Sequence, residues 1–437
     1  MKTNPIKDPE ITDQVWPLNT AQDFSSGRFH YGVIRDGRLC MITSDRQCIP
    51  LWVAEVGGTR FSSEEISKSR FSTKGINRFL EEGISYNPED IFHQIETYLK
   101  TYIYLRDEGS YTVIALWVMG TYVFRIFRYF PYIHLLAEKA SGKTTLLEIL
   151  EKICFNGELS SDATGASLFH EVHTNSSSLF LDESEDLNEG QYGAKMRLLK
   201  AGFSKTGRIK RKNATYSCYS PKMIAGIKPL GDVLADRTIM VRMIRKLSTE
   251  SITRYVETND MMEFQSGLRD SLYTFGLTHA QRLMSEYVRV SENPEKTHLK
   301  NRALDLWLPL IVVASMVKEK VVEEVTQYAQ QHSRQREEND SIENETSRLL
   351  AVLSSAEKDI KPIRIDGSVI YIEADMMFAY FRAVDCVPKG ASRTWLSRML
   401  HQKLDILCPP VRCQDGLVRA FEIDTAKMEE MIRRYTQ

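Results

Sequence analysis

The chain has no surplus of charge of either sign. Its 437 residues carry 57 Lys and Arg side chains against 58 Asp and Glu, which gives a formal net charge of -1 at pH 7. A protein that binds nucleic acid through its overall charge is strongly basic. The composition therefore excludes a globally basic nucleic-acid binder, and any surface for DNA or RNA must be local.

Cysteine is scarce and scattered. The closest pair among the seven cysteines is Cys408 and Cys413, and no second close pair or His-x-x-x-His sequence accompanies it. A structural zinc site needs four such ligands at regular spacing, and a disulfide framework needs a denser set of cysteines. The pattern therefore favours reduced thiols over a zinc site. Reduced thiols are typical of a cytoplasmic protein.

Long apolar runs are missing as well. The most apolar segment, residues 113–127, is shorter than the about 20 residues that cross a bilayer, and it contains Arg125. The first residues do not show the charged start and apolar stretch of a secretory leader. We therefore expect a soluble, intracellular protein without membrane contact, in which this segment belongs to a buried helix.

The most informative segment that is present runs from Tyr132 to Leu150. A short apolar strand leads into a loop of small residues, and Gly142-Lys143-Thr144 then opens a helix. In this layout N–H groups point at phosphates, a lysine reaches the β- and γ-phosphates, and a hydroxyl binds Mg²⁺. The sequence thus predicts a site for ATP and Mg²⁺. Its predicted binding residues are Ala137, Glu138, Lys139, Ala140, Ser141, Gly142, Lys143, Thr144 and Thr145, with Thr144 also a metal ligand.

One position departs from the usual pattern of this loop. Ala137 stands where the motif has its first glycine, which restricts that residue to ordinary φ and ψ angles. We expect this change to shift nucleotide affinity.

A second motif follows some forty residues later. Ser178-Leu-Phe-Leu-Asp-Glu183 is an apolar run that ends in two carboxylates, as a buried central strand does when its C-terminal end delivers acids to a ligand crevice. Asp182 is predicted to hold Mg²⁺ and Glu183 to polarise the attacking water. The alternative is a plain strand that ends at an acidic turn.

Three further cations lie next to apolar segments, in an order that suits a nucleotide site. Lys228 comes after the strand-like run 222–227, where a residue that senses the γ-phosphate would lie; a simple loop lysine is the alternative. Arg237 is predicted to reach a neighbouring subunit's nucleotide, against a surface salt bridge with Asp236. Arg302 opens an apolar helix, either as a second phosphate-sensing arginine or as a helix cap.

These motifs together resemble the AAA+ ATPases that mobile genetic elements encode, akin to the MCM-like helicases of chromosomal cassettes and phage satellites. The resemblance spans roughly residues 90–320 and includes the segments 115–122, 137–144, 182–186, 234–237 and 301–310. It implies a homo-oligomeric ring, expected to be a hexamer, with active sites shared between subunits. The asparagine that this family has as its sensor is missing, with Lys228 near its place.

The resemblance also assigns a role to a basic segment, residues 200–213. In those helicases a hairpin inserted here grips the DNA backbone inside the ring. It implies phosphate contacts from Lys205, Arg208, Lys210, Arg211 and Lys212, which would be independent of sequence and sensitive to salt. The alternative is a solvated basic loop.

The expected fold class is α/β, with a P-loop AAA+ core and helical lid between two smaller domains. We predict an N-terminal α+β domain at 1–87, the ATPase core with its leading helices at 88–247, the lid at 248–333, and a linker with a C-terminal winged-helix-like domain at 334–437. The last of these rests on helices at 346–356, 374–383 and 390–403, followed by strands at 410–413 and 417–423. Such a domain binds DNA or docks proteins.

The leading hypothesis is an ATP-dependent DNA translocase or helicase that acts on single-stranded or forked DNA during replication of a mobile element. Two alternatives remain: an ATP-switched regulatory or defence assembly that binds nucleic acid without processive unwinding, and a monomeric ATPase in which Arg237 is structural.

Overall fold

A computed structural model of the chain describes residues 19–25, 27–35, 37–51, 55–56, 59–60, 66, 68–160, 165–182, 193–211, 214–246, 252–343, 345–387, 390–413 and 416–435. The chain divides into two compact units, residues 1–330 and residues 331–437. Each has its own apolar core. None of the helices in the described part of the chain combines the length and apolar character that a bilayer span requires.

The first unit begins with a small antiparallel sheet. Its strands pair in chain order and are β1 (Gln22–Ser25), β2 (Arg28–Arg35), β3 (Arg38–Thr43) and β4 (Cys48–Pro50), followed by a short hairpin of β5 (Glu55–Val56) and β6 (Thr59–Arg60). Arg35 pairs with Arg38, and Gly37 takes a φ of 68° in the turn between them. Glycine adopts this left-handed conformation without steric cost, so it suits the turn between the two strands.

Three helices follow: α1 (Thr73–Leu80), α2 (Pro88–Tyr102) and α3 (Glu108–Thr121). The helix expected to reach residue 127 ends earlier, at Thr121, and a 3-10 turn covers Phe124–Ile126. Residues 121–124 are β-branched or aromatic and favour helix weakly. The Tyr31 hydroxyl also donates to the Tyr122 carbonyl, which takes that carbonyl away from a continuing helix.

A five-stranded parallel sheet forms the centre of the first unit. In chain order its strands are β7 (Tyr132–Ala137), β8 (Glu158–Ser160), β9 (Leu179–Leu181), β12 (Lys222–Gly226) and β13 (Thr238–Met243), and in space they lie in the order β13-β7-β12-β9-β8. Around the sheet lie α4 (Lys143–Ile153), α5 (Gly165–Asn175), α6 (Ala194–Ala201), α7 (Asp232–Ala235) and a separate hairpin of β10 (Arg208–Arg211) and β11 (Ala214–Ser217).

Helices alone follow the sheet, as the sequence predicts. They are α8 (Asn259–Glu292), a 3-10 turn at Pro294–Thr297, α9 (Asn301–Val317) and α10 (Glu319–Glu343). The charged stretch from residue 330, part of which was expected to be a linker, is helical as far as Glu343.

The second unit places its elements close to where the sequence predicts them. They are α11 (Glu345–Asp359), β14 (Arg364–Asp366), β15 (Val369–Glu373), α12 (Ala374–Ala383), α13 (Arg393–Leu404), β16 (Pro410–Cys413), β17 (Gly416–Asp424) and α14 (Thr425–Tyr435). The strands form one antiparallel sheet in the order β14-β15-β17-β16. The class of the protein is therefore mixed α/β with a small N-terminal β-sheet, as predicted at that level.

Candidate phosphate-binding site and its surroundings

The loop between β7 and α4 begins one residue later than its motif suggests. Ala137 is the last residue of β7, pairs with Met243 of β13, and is 2% exposed. The next residue, Glu138, donates its N–H to the Met243 carbonyl at 3.1 Å. Because Ala137 is extended strand, ordinary φ and ψ angles suffice there. The backbone at this position therefore does not require glycine, and the expected shift in nucleotide affinity stays a prediction.

The left-handed residues of the loop are Ala140, with a φ of 61°, and Gly142, with a φ of 88°. Gly142 directly precedes α4, and a Cβ there would meet nothing within 4 Å. Glycine at this position is therefore favoured by its φ angle and not by lack of space. Ala140 adopts the same region at a cost, since a Cβ crowds the following carbonyl.

The N-terminus of α4 is open toward the loop. The first backbone bond of the helix runs from the Leu146 N–H to the Gly142 carbonyl, at 3.0 Å. The N–H groups ahead of it have no partner inside the helix and carry the positive end of its dipole. Ser141 is 8% exposed, and its hydroxyl has no partner among the described residues. An orphaned hydroxyl and free helix N–H groups fit a phosphate group.

Lys143 and Asp182 meet at this helix end. The Lys143 Nζ lies 2.6 Å from Asp182 Oδ1, and both side chains are less than one-fifth exposed. Asp182 follows the last residue of β9, so the strand delivers it to the C-terminal edge of the sheet. Thr144 is exposed beside them, at the start of α4. Glu183 and Lys212, two of the predicted site residues, lie outside the described residues.

These residues also fit a magnesium ion. Mg²⁺ usually needs few ligands from the protein, such as a hydroxyl and one carboxylate, because it keeps several waters and also binds substrate phosphates. In the described part of the chain no group of three or more His, Cys, Asp or Glu side chains is placed to hold a metal by itself.

One residue of the loop's surroundings was missed from the sequence. Arg245, two residues beyond β13, donates its Nε to the Lys139 carbonyl at 2.6 Å. The sequence shows that Arg245 is a cation shortly after a strand-like segment. It does not show that this strand, β13, lies beside β7, and only that pairing places Arg245 at the loop.

Lys228 lies at the same edge of the sheet as the loop. It is exposed and comes two residues after Gly226, which pairs with Leu136 of β7. Nearby, burial lowers the pKa of His134 in β7 to about 4, although a hydrogen bond with the Lys228 backbone acts in the opposite direction. His134 is therefore neutral at physiological pH. The position of Lys228 suits a side chain that reaches toward bound phosphate.

Arg237 and Arg302 lie at the opposite edge of the sheet. β13 begins after Arg237, and its first residue pairs with Tyr132, the first residue of β7. The six residues of β7 rise about 3.3 Å each, so the loop is about 20 Å away. Arg302 lies on the same side, because α9 begins beside α7 and Arg302 Nε donates to Asp236 Oδ2 at 3.1 Å. The role of Arg302 as a second phosphate-sensing arginine stays a prediction.

The predicted basic hairpin is present, but two of its cations are turned inward. Lys205 Nζ lies 3.2 Å from Asp23 Oδ1 and donates to the Arg125 carbonyl at 2.6 Å. Arg208 Nη1 donates to the Lys205 carbonyl at 2.9 Å. Lys210 is exposed, and Arg211 is described in its backbone alone. Lys205 and Arg208 therefore hold the root of the hairpin, which corrects their reading as open phosphate contacts.

Comparison with known proteins adds little to this geometry. A family model described as a protein of unknown function, DUF3631, matches residues 242–369, less than a third of the chain. No curated protein sequence matches it. Among solved structures, an apo form of the C-terminal region of NrS-1 is similar at 16% identity and a TM-score of 0.41, over 92% of this chain and 95% of that one. A second structure of that region, residues 305–718, gives 15% and 0.39 over the same shares.

Proposed function

We propose that this protein is an ATP-hydrolysing DNA translocase of the AAA+ P-loop class, which works as a ring of identical subunits in replicating a mobile genetic element. The observation that carries the proposal is the Lys143–Asp182 pair at the open N-terminus of α4. A lysine, an unpartnered hydroxyl and free helix N–H groups meet there at the carboxyl ends of parallel strands, where α/β proteins bind ligands.

Each residue of the site has a proposed task. The N–H groups of residues 141–145 cradle the phosphates of ATP, and Lys143 exchanges Asp182 for the β- and γ-phosphates. Thr144 and Asp182 hold Mg²⁺, which when bound neutralises phosphate charge. Lys228 senses the γ-phosphate, and Glu183 polarises the attacking water.

The position of Arg237 supports the proposed ring. About 20 Å of sheet separates it from the loop of its own chain, so it completes a nucleotide site only if that site belongs to a neighbour. An arginine supplied in this way neutralises charge in the transition state of phosphoryl transfer. Val233, one turn before Arg237, is 48% exposed, which suits a surface that another subunit covers.

DNA is proposed to run along the hairpin of β10 and β11. Lys210, Arg211 and Lys212 are proposed to contact phosphates, and a ring multiplies this patch, so that a neutral chain still lines a positive channel. The second unit, proposed as winged-helix-like, adds Arg398 and His401 on the exposed side of α13. Arg393 contributes less, because it pairs with Asp375 at 2.6 Å.

The test measures ATP turnover with and without single-stranded DNA, together with native mass. Lys143→Ala should abolish turnover, Arg237→Ala should abolish it without loss of ATP binding, and Lys210→Ala should weaken DNA binding. The matched control is Lys320→Ala, because Lys320 is 76% exposed on α10 and far along the chain from the hairpin. Full ATP turnover in Lys143→Ala would contradict the proposal. ATP and DNA binding without DNA-stimulated turnover would favour the ATP-switched regulatory assembly instead.

A further inference from the structure

Arg302 is held from four sides at the N-terminus of α9. Its Nε donates to Asp236 Oδ2 at 3.1 Å, and its Nη1 donates to Asp305 Oδ2 at 3.3 Å. Its guanidinium carbon lies 5.2 Å from the ring centroid of Phe203 and 5.7 Å from that of Tyr129. A planar guanidinium can donate in its plane and stack on rings with its faces, which a lysine ammonium cannot do.

Phe203 lies at the root of the basic hairpin, and Tyr129 lies against it from the segment before β7. Tyr129 and Phe203 stack with centroids 5.2 Å apart, and the Phe203 carbonyl accepts from the Phe130 N–H at 3.3 Å. Two residues on, the Lys205 N–H donates to the Arg128 carbonyl at 2.8 Å. These bonds join residues 128–130 to the segment that runs from Phe203 into Lys205 and Arg208.

The carboxylate on the other side belongs to the segment of Arg237. Asp236 precedes Arg237 in the chain, and the Arg237 carbonyl accepts from the Tyr132 N–H at 3.0 Å. One guanidinium therefore bridges the hairpin root and Arg237, both at the edge of the sheet remote from Lys143. A displacement of the hairpin has a short path to Arg237 and a long one to the phosphate loop of the same chain.

We propose that Arg302 is a positioning residue that couples the basic hairpin to Arg237, so that DNA bound by one subunit accelerates hydrolysis in the neighbouring subunit. The proposal rests on the proposed function, because it needs both DNA on the hairpin and a nucleotide site completed by Arg237. The Arg302 side chain is 38% exposed, so solvent screens its ion pairs. We expect a coupling of about three- to tenfold in rate, within the usual range for residues in contact.

The test mixes two variants of the full chain. The first, Lys143→Ala, cannot hydrolyse ATP but keeps its hairpin, Arg302 and Arg237. The second carries Lys210→Ala, Arg211→Ala and Lys212→Ala, so it keeps its phosphate loop but has a neutral hairpin. In mixed assemblies hydrolysis occurs at the loop of the second chain, and DNA acts through the hairpin of the first.

The experiment is repeated with Arg302→Met or Arg302→Lys added to the first chain. Arg289→Met in the first chain is the control, since Arg289 pairs with Glu286 on the surface of α8.

DNA should stimulate hydrolysis in the mixture with Arg302 intact and in the Arg289→Met control. Both Arg302 variants should reduce the ratio of stimulated to unstimulated rate to about one, while DNA binding and native mass stay as in the parent. Lysine is expected not to rescue, because it cannot bridge Asp236 and the two rings. Undiminished stimulation with Arg302→Met, or no stimulation with Arg302 intact, overturns the coupling and leaves the proposed function standing. Absence of DNA-stimulated turnover in the unmodified protein overturns the proposed function itself.

Discussion

Asp23 of the N-terminal sheet and Lys205 of the hairpin root form an ion pair, with 3.2 Å between Oδ1 and Nζ. Asp23 is 4% exposed, and the buried Arg125 lies 3.9 Å from its other oxygen. Burial raises the pKa of Asp23, but Lys205, Arg125, the hydrogen bond from the Asn19 N–H and His30 together outweigh burial and hold the pKa below its usual value. The N-terminal sheet therefore fixes the base of the hairpin through one carboxylate.

Asp23→Asn should destabilise the protein by about 3–5 kcal/mol, the usual cost of leaving a buried charge without its partner. Arg125 is the charge concerned, because its side chain is 3% exposed, whereas Lys205 can turn toward solvent. The measurement is urea unfolding. Asp45→Asn is the control, since Asp45 pairs with Arg28 on the surface, where such pairs contribute about 0–1 kcal/mol. Equal losses in the two variants would contradict the buried network.

The same pair gives a pH dependence of known sign. The folded-state pKa of Asp23 is below its unfolded value, so its contribution is complete above the unfolded pKa and is lost as pH falls through the folded one. The difference in unfolding free energy between the parent and Asp23→Asn should therefore shrink below about pH 4. A difference that stays constant from pH 6 down to pH 3 would argue against the pairing.

Asp182→Asn should change nucleotide binding in opposite directions with and without magnesium. In the absence of Mg²⁺ the Asp182 carboxylate holds Lys143 and repels phosphate, so its removal should tighten ATP binding several-fold. The expected change is less than tenfold in affinity, which corresponds to about 1.4 kcal/mol of binding free energy. With Mg²⁺ present the variant loses a proposed metal ligand and should bind more weakly than the parent. Titration of a fluorescent ATP analogue in EDTA and in Mg²⁺ distinguishes the two effects. Lys143→Ala serves as the comparison, because it should weaken binding under both conditions.

Local patterns predicted the elements well, because strand, loop and helix signals lie within a few residues of each other. The strand before Asp182, the helix opened by Lys143 and the Ser392-capped helix α13 all lie where the sequence indicates. The tasks of Lys205 and Arg302 could not be predicted in the same way. Their partners, Asp23 and Asp236, are far away in the chain, and no periodicity indicates which cation meets which carboxylate.

Ala140→Gly and Gly142→Ala should have effects of opposite sign on stability. Both residues have positive φ, where a side chain costs about 1–2 kcal/mol and glycine does not. Ala140→Gly should therefore stabilise by about 0.5–1 kcal/mol after the larger chain entropy of glycine is subtracted, and Gly142→Ala should destabilise by about 1–2 kcal/mol. Chemical denaturation measures both. Destabilisation by Ala140→Gly would mean that the loop backbone differs from the one described.

Lys222 should make stability rise with pH above neutrality. It is fully buried at the start of β12, and its Nζ donates to the carbonyls of Cys218 and Ser220 at 2.9 and 3.0 Å. Burial lowers its pKa from 10.5 to about 7, with a smaller opposing attraction from Cys218. Because the unfolded chain keeps this proton to higher pH than the folded one, the free energy of unfolding increases as the pH is raised from 7.

The expected gain from Lys222 between pH 7 and pH 8.5 is about 1–2 kcal/mol, because one pKa unit corresponds to about 1.4 kcal/mol. Lys222→Met should remove this rise, whatever its effect on stability at a single pH, because methionine carries no proton to release. Urea unfolding at pH 7, 7.75 and 8.5 measures the slope, and Lys320→Met, a change at an exposed lysine, should leave it unaltered. Parallel pH profiles for the parent and Lys222→Met would show that Lys222 remains charged within the folded protein. Its hydrogen bonds to the two carbonyls would then outweigh its burial.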